Sequence, residues 1–174
     1  AFNNGVILRP DDTENPHYRE VFRTQIRETI QRHFATQRDV RRKGVKVLSL
    51  FFIDRVDNYV APNGIIRTLF DELFNQLKLS EPDFRDLDPA VVRRAYFAKR
   101  NTKTGEEEFL NTDSRTESER ELEKDAFNLI MREKERLLGF DEPVCFIFAH
   151  SALKEGWDNP NVFQICTLNQ TVTE

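Results

Sequence analysis

Residues 144–168 read VCFIFAHSALKEGWDNPNVFQICTL. Two runs of apolar, β-branched and aromatic residues, Val144–Ala149 and Val162–Leu168, predict strands. Between them lies a polar loop with one Gly, one Trp and one Asp, ending on Pro160. In open α/β sheets, ligands bind at the carboxyl ends of the strands. The loop from His150 to Asn161 leaves the first strand at such an end. A helical turn over 151–155 would point free backbone N–H groups outward, which suits a phosphate. Gly156 permits tight backbone geometry, and Asp158 supplies acceptors suited to a sugar hydroxyl. By spacing alone, an ordinary crossover loop with a Gly turn and an Asp cap explains these residues better than a ligand site does.

Outward from this stretch, the rest of the chain alternates helix and strand. Val6-Ile7-Leu8 is a short apolar segment, and Asn15-Pro16 has the form of a helix start. Tyr18, Val21, Phe22, Ile26, Ile30 and Phe34 recur at helical spacing, which predicts a helix over about 16–36. The run Arg38–Lys43 reads as a solvated, basic helix end, with a nucleic-acid patch as the alternative. Gly44 breaks the pattern. Val45–Ile53, VKVLSLFFI, is almost continuously apolar, as a central parallel strand buried on both faces would be. Residues 62–79 carry a wide apolar stripe (Ile65, Ile66, Leu69, Phe70, Leu73, Phe74, Leu77) and predict a second helix whose stripe is core.

Val91–Ala98 predicts a strand. Asn101–Gly105 predicts a turn, and Phe109-Leu110 the returning arm of a hairpin, so 91–112 reads as a hairpin insertion. Its Lys99, Arg100 and Lys103 are balanced by Glu106, Glu107 and Glu108, as in an exposed hairpin. A third helix is expected over 117–138, with Leu122, Ala126, Leu129, Ile130 and Leu137 on one face and Gly139 as its cap. The order is that of an α/β domain: an open, mostly parallel sheet flanked by helices, with a β-hairpin insertion.

Composition narrows the function. The chain has 174 residues, enough for one domain with a core; 39% are hydrophobic, 32% are charged, and 15 are Phe. A net charge of -4 excludes a general polyanion binder, so any nucleic-acid site must be local. Cys145 and Cys166 show no metal or disulfide spacing and read as buried, reduced thiols of a cytoplasmic protein. No apolar run approaches the ~20 residues of a membrane span, so no membrane partner is expected.

The stretch FIFAHSALKEGWDNPNVFQICTL resembles motif V of superfamily 2 helicases and translocases in Ala149, His150-Ser151, Gly156, Asp158 and Pro160-Asn161-Val162. More narrowly, Gly156-Trp157-Asp158-Asn159-Pro160 resembles the restriction (Res) subunit of type III restriction–modification enzymes. VKVLSLFFIDRVDNYV at 45–60 resembles that subunit's motif IV segment, TQIRETIQRHF at 24–34 the helix before it, and 123–171 is similar nearly end to end. The likeness is weakest at 1–15 and 61–120. It implies that the chain is part of a second RecA-like domain, of helicase C-terminal type, truncated at its C-terminal end. By the same resemblance, Gly156 and Asp158 would face the nucleotide, and His150 and Ser151 the nucleic-acid backbone. Asp54 and Arg55 would lie near the DNA path or the interdomain cleft, though a salt-bridged strand end explains them as well. Trp157 reads as a packing plug in preference to a base-stacking platform.

The six glycines are at 5, 44, 64, 105, 139 and 156, and none precedes Lys, so there is no P-loop. There is no Asp-Glu-x-His box for magnesium. Pro82-Asp83 with Glu123-x-Asp125 lacks the lysine of a nuclease signature. What the resemblance implies is therefore a piece of a bacterial defence enzyme, an ATP-dependent DNA translocase and endonuclease. Its ATP and Mg2+ would serve the parent protein. Its partners would be DNA, the modification methyltransferase subunit and the first RecA-like domain. The alternatives are the second motor domain of a non-nuclease superfamily 2 translocase, and a non-catalytic RecA-like interaction module.

Overall fold

The strand Leu48–Ile53 (β1) sits inside the sheet with every residue buried except Phe52, which is partly buried. Its apolar run needs cover on both faces and a hydrogen-bonded neighbour on both edges. The computed structural model, which describes residues 16–97, 121, 124–150 and 159–170, supplies both. Arg93–Tyr96 (β2), Phe146–His150 (β3) and Val162–Leu168 (β4) complete a four-stranded sheet of order β2-β3-β1-β4. All three pairings are parallel, with Ile53 opposite both His150 and Leu168. The expected α/β class and parallel sheet are thus present.

Helix α1, Pro16–Arg41, runs further than expected and absorbs the start of the basic run. It ends where Gly44 takes a positive φ of 70°, a conformation that costs glycine little. Phe22, Ile26, Ile30 and Phe34 form its buried stripe, whereas Val21, expected on that stripe, is 50% exposed. Arg38 pairs with Glu81, and Arg41 pairs with Asp83 while lying 4.0 Å over the Phe140 ring. These basic side chains are engaged within the protein.

The short helix α2, Asp57–Val60, follows β1, and α3, Ile65–Leu77, follows it. Ile66, Leu69, Phe70, Leu73 and Phe74 bury the predicted stripe. α1 and α3 cover one face of the sheet, where Phe51 and Phe148 stack at 4.7 Å and Phe70 meets Phe146 at 5.0 Å. A helical turn, α4 (Pro89–Val92), is capped by the Asp88 carboxylate, which accepts from the Ala90 N–H, and leads straight into β2. The segment expected as the first arm of a hairpin is therefore an edge strand of the main sheet, parallel to β3, beginning only at Arg93. The turn and the returning arm lie outside the described residues.

On the opposite face, Phe127 packs against Tyr96 at 5.6 Å. The third helix is not the continuous one expected. A π-helical turn at Asn128–Arg132, closed by Glu133 N–H to the Asn128 carbonyl, separates it from a short α5, Lys134–Leu138. Gly139 ends α5 by donating to the Glu135 and Arg136 carbonyls, with ordinary negative φ. The same face of β4 is bare among the described residues, with Phe163 46% and Ile165 65% exposed. Cys145 and Cys166 are free and buried, and burial pushes the Cys145 thiol up to about 12.

Two polar devices sit inside this core. Lys46 is buried and donates to the carbonyls of Leu137, Gly139 and Glu142, locking the end of α5 to the start of β1. Burial lowers its pKa. His33 of α1 lies 4.2 Å from the Phe146 ring, and its Nδ1 is 2.8 Å from the Ser49 hydroxyl. That hydroxyl donates to Gln164 Oε1, and Gln164 Nε2 donates to Thr36 Oγ1. Ser49 therefore accepts from His33, and the neutral ring keeps its lone pair on the buried Nε2.

Burial, reinforced by the charge of Lys46, holds the His33 imidazole at about 3, below its ordinary 6.5. Below about pH 6.5 the unfolded chain binds a proton that the folded state refuses. This contribution to stability is therefore full above about pH 6.5 and drains away as pH falls towards 3. The loss reaches about 2 kcal/mol by about pH 5. In urea denaturation, His33→Leu is expected to be less stable than the parent chain at pH 7, with the gap narrowing at pH 5. A gap independent of pH would contradict the buried neutral imidazole.

Candidate functional site

The carboxyl ends of β1, β3 and β4 lie side by side, and each carries a polar residue of interest. β1 ends into Asp54 and Arg55, β3 ends on His150, and β4 runs on to Asn169 and Gln170. Of the residues singled out in the sequence, the structure brings Asp54, Arg55 and His150 together at this edge. Ser151, Gly156, Trp157 and Asp158 lie outside the described residues.

The Asp54 backbone carbonyl is 3.1 Å from His150 Nε2. A carbonyl only accepts, so Nε2 is the donor and a neutral His150 keeps its lone pair on Nδ1. The Asp54 carboxylate accepts the Gln170 backbone N–H through Oδ2 at 2.7 Å. The strand end is thus held by hydrogen bonds from His150, at the end of β3, and from Gln170, just past β4. Arg55 is half-buried, and its carbonyl accepts the Asn58 N–H at 3.1 Å.

The Gln170 side chain, 3% exposed, stands out at this edge. Its Oε1 and Nε2, together with Asp54 Oδ1 and the Nδ2 of the buried Asn58, find no hydrogen-bond partner among the described residues. Buried polar atoms are nearly always satisfied, so an edge with four unsatisfied ones marks where further groups come in. Sequence reasoning missed Gln170. Its only signal was a polar residue just past a strand, which is common.

The connection from β3 to β4 departs from this edge at His150. It re-enters at the opposite edge, where the Asn161 carbonyl accepts from Leu48 N–H and its Nδ2 donates to the Lys46 carbonyl. Asn159 Oδ1 caps that turn by accepting the Asn161 N–H. This is the right geometry for a parallel crossover, which must travel the height of the sheet. Among the described residues no group of His, Cys, Asp or Glu could hold a metal ion, and no helix is long and apolar enough to cross a membrane.

An all-parallel α/β sheet flanked by helices is consistent with a RecA-like domain segment. No family profile matches the chain. Three curated proteins do. The chain is 33% identical over 190 residues to the Res subunit of the type III restriction-modification enzyme EcoP15I from Escherichia coli, covering 98% of this chain and 18% of that protein. It is 32% identical to the EcoPI Res subunit of Escherichia phage P1 over the same shares. It is 27% identical to the StyLTI Res subunit of Salmonella typhimurium, over 98% of this chain and 19% of that protein. The resemblance drawn from the sequence is borne out: the chain is similar along nearly its whole length to a segment of type III Res subunits, and it spans less than a fifth of the length of these relatives.

One backbone contact shapes this edge. A Cβ on Gly64, between α2 and α3, would lie 2.7 Å from the Asn58 carbonyl oxygen and 2.8 Å from that of Tyr59. Neither carbonyl can swing aside as a flexible side chain would. Gly64→Ala is expected to destabilise the chain by about 1–3 kcal/mol, read as a lowered melting temperature by circular dichroism. An unchanged melting temperature would mean that the α2–α3 turn is more yielding than its contacts indicate.

Proposed function

We propose that the chain is most of the second RecA-like domain of an ATP-dependent DNA translocase and endonuclease of a type III restriction system. It supplies half of the ATP cleft and half of the DNA track. The observation that carries this reading is the similarity to Res subunits along 98% of the chain, on a sheet whose polar groups gather at the ligand edge. In this reading Gly156 and Asp158 face the nucleotide, His150 and Ser151 face the DNA backbone, and Arg55 lies beside the DNA path. A neutral His150 whose Nε2 is engaged by Asp54 offers a DNA ligand an acceptor, and only the imidazolium offers a second donor.

ATP and Mg2+ serve the parent protein. The P-loop that cradles the phosphates and the acidic box that holds the metal belong to the first RecA-like domain, because this chain has no Gly-Lys-Ser/Thr loop and no acidic box. The further partners are the modification methyltransferase subunit and DNA, in the cytoplasm. Alone, the chain has no complete active site, so it neither hydrolyses ATP nor cuts DNA.

The test is a titration with a fluorescent ATP analogue, on the 174-residue chain and on a longer polypeptide that also carries the P-loop domain. The longer protein is expected to bind tightly and to lose about tenfold or more on Asp158→Ala, as removing a hydrogen bond in a charged site does. The chain alone is expected to bind feebly. Equal binding with and without the Asp158 carboxylate would make the Gly156-Trp157-Asp158 loop architectural. ATP turnover by the pure chain, abolished by Asp158→Ala, would sink the half-cleft reading.

A further inference from the structure

β1 lies between β3 and β4, so the residue just past its end is the one placed to touch both neighbours. That residue is Asp54, and it uses different groups for each. Its backbone carbonyl takes the Nε2–H of His150 at the end of β3, at 3.1 Å. Its carboxylate takes the Gln170 N–H just beyond the end of β4, at 2.7 Å. The chain leaves the sheet at both of these points. The second carboxylate oxygen is buried and unpartnered among the described residues, so the group is turned into the protein. A carboxylate is also a poor neighbour for a phosphate, since like charges repel.

We propose that Asp54 is a positioning residue of the ligand edge. It acts through His150 and Gln170, holding the departures from β3 and β4 at a fixed spacing and fixing the tautomer of His150, and it touches neither nucleotide nor DNA itself. The proposal rests on the functional reading above and adds to it the residue that sets the geometry of that edge. It also separates Asp54 from Arg55, its neighbour in sequence.

Asp54→Asn and Asp54→Ala distinguish the roles, each made in the intact protein that carries this chain. Asn keeps an oxygen acceptor for the Gln170 N–H, and Ala does not. Hydrogen exchange of the Gln170 amide is expected to speed up about tenfold or more in Asp54→Ala and to stay within about threefold of wild type in Asp54→Asn. Affinity for duplex DNA, measured where circular dichroism shows each variant folded, is expected to follow the same order, with Asn rescuing what Ala loses. If DNA affinity falls equally in both variants while Asn preserves slow exchange, the carboxylate meets the ligand directly and the proposal is overturned. If exchange speeds up in Asp54→Ala and DNA affinity does not change, Asp54 is a structural tie alone, which also overturns it. Exchange and the rescue by Asn need no ligand. A wild-type protein that binds no DNA would therefore overturn the functional reading, and with it the ligand part of this proposal, while exchange still reports on the tie.

Discussion

The structure depends on burying β1 on both faces while bonding it on both edges. A strand so placed cannot be finished by local chain. Its partners, β3 and β4, begin at Phe146 and Val162, nearly a hundred residues or more further along. Parallel neighbours also demand crossovers that travel the height of the sheet, so each strand must be followed by chain that returns over a face. α3 does this between β1 and β2, and in doing so lays Phe70 and Phe74 on the aromatic layer formed by Phe51, Phe146 and Phe148. The aromatic content of the chain is thus concentrated where one face of β1 and β3 meets two helices.

Apolar burial gives such a sheet little to fix its register, because neighbouring Phe, Ile and Leu side chains can slide past one another. Polar interior groups supply what the apolar ones lack. Ser49 of β1 faces α1 and is bonded to both His33 and Gln164, so a slip of one residue between β1 and β4 would break the Ser49–Gln164 bond and leave both groups short of a partner. The register between these strands does shift between Leu48 and Ser49, and the bond from Ser49 to Gln164 lies immediately beyond the shift. At the other edge, Lys46 gathers three carbonyls from the end of α5 and the turn after it, tying the start of β1 to the segment that leads into β3. Its burial costs desolvation, which is why its pKa falls, and the carbonyls offset that cost by solvating the ammonium.

These same residues mark the limit of what could be read from the sequence. The runs that became β1, β3 and β4, and the stripes of α1 and α3, were legible because hydrophobic period and length report burial directly. Lys46 and Ser49 interrupt an almost continuously apolar run, and His33 lies outside the apolar stripe read for its helix. Their partners lie 16 to 115 residues away, beyond any local pattern. The break at Glu133 was illegible for a related reason. Its apolar residues, Ala126, Leu129, Ile130 and Leu137, keep helical spacing across the break, and the π turn realigns the chain without disturbing that spacing. The pairing of β2 with β3, more than fifty residues later, was illegible because the turn-like residues after β2 pointed only to a local partner.

At the candidate site the division is sharper. Asp54, Arg55 and His150 were legible as strand-end residues. What they do to one another depends on strand order, which the sequence does not print. With β1 central, the backbone of Asp54 falls beside His150 and its side chain beside Gln170. The polar groups of the amino edge, Lys46 and Asn161, are bonded to backbone. At the carboxyl edge, atoms of Asp54, Asn58 and Gln170 are buried without partners. The amino edge has one such atom, Asn159 Nδ2, against four at the carboxyl edge, so the unmet hydrogen-bonding capacity of the described residues has a direction. Because leaving a buried polar atom unbonded costs about 1–3 kcal/mol, the carboxyl end is the one with more free energy to gain from whatever arrives there.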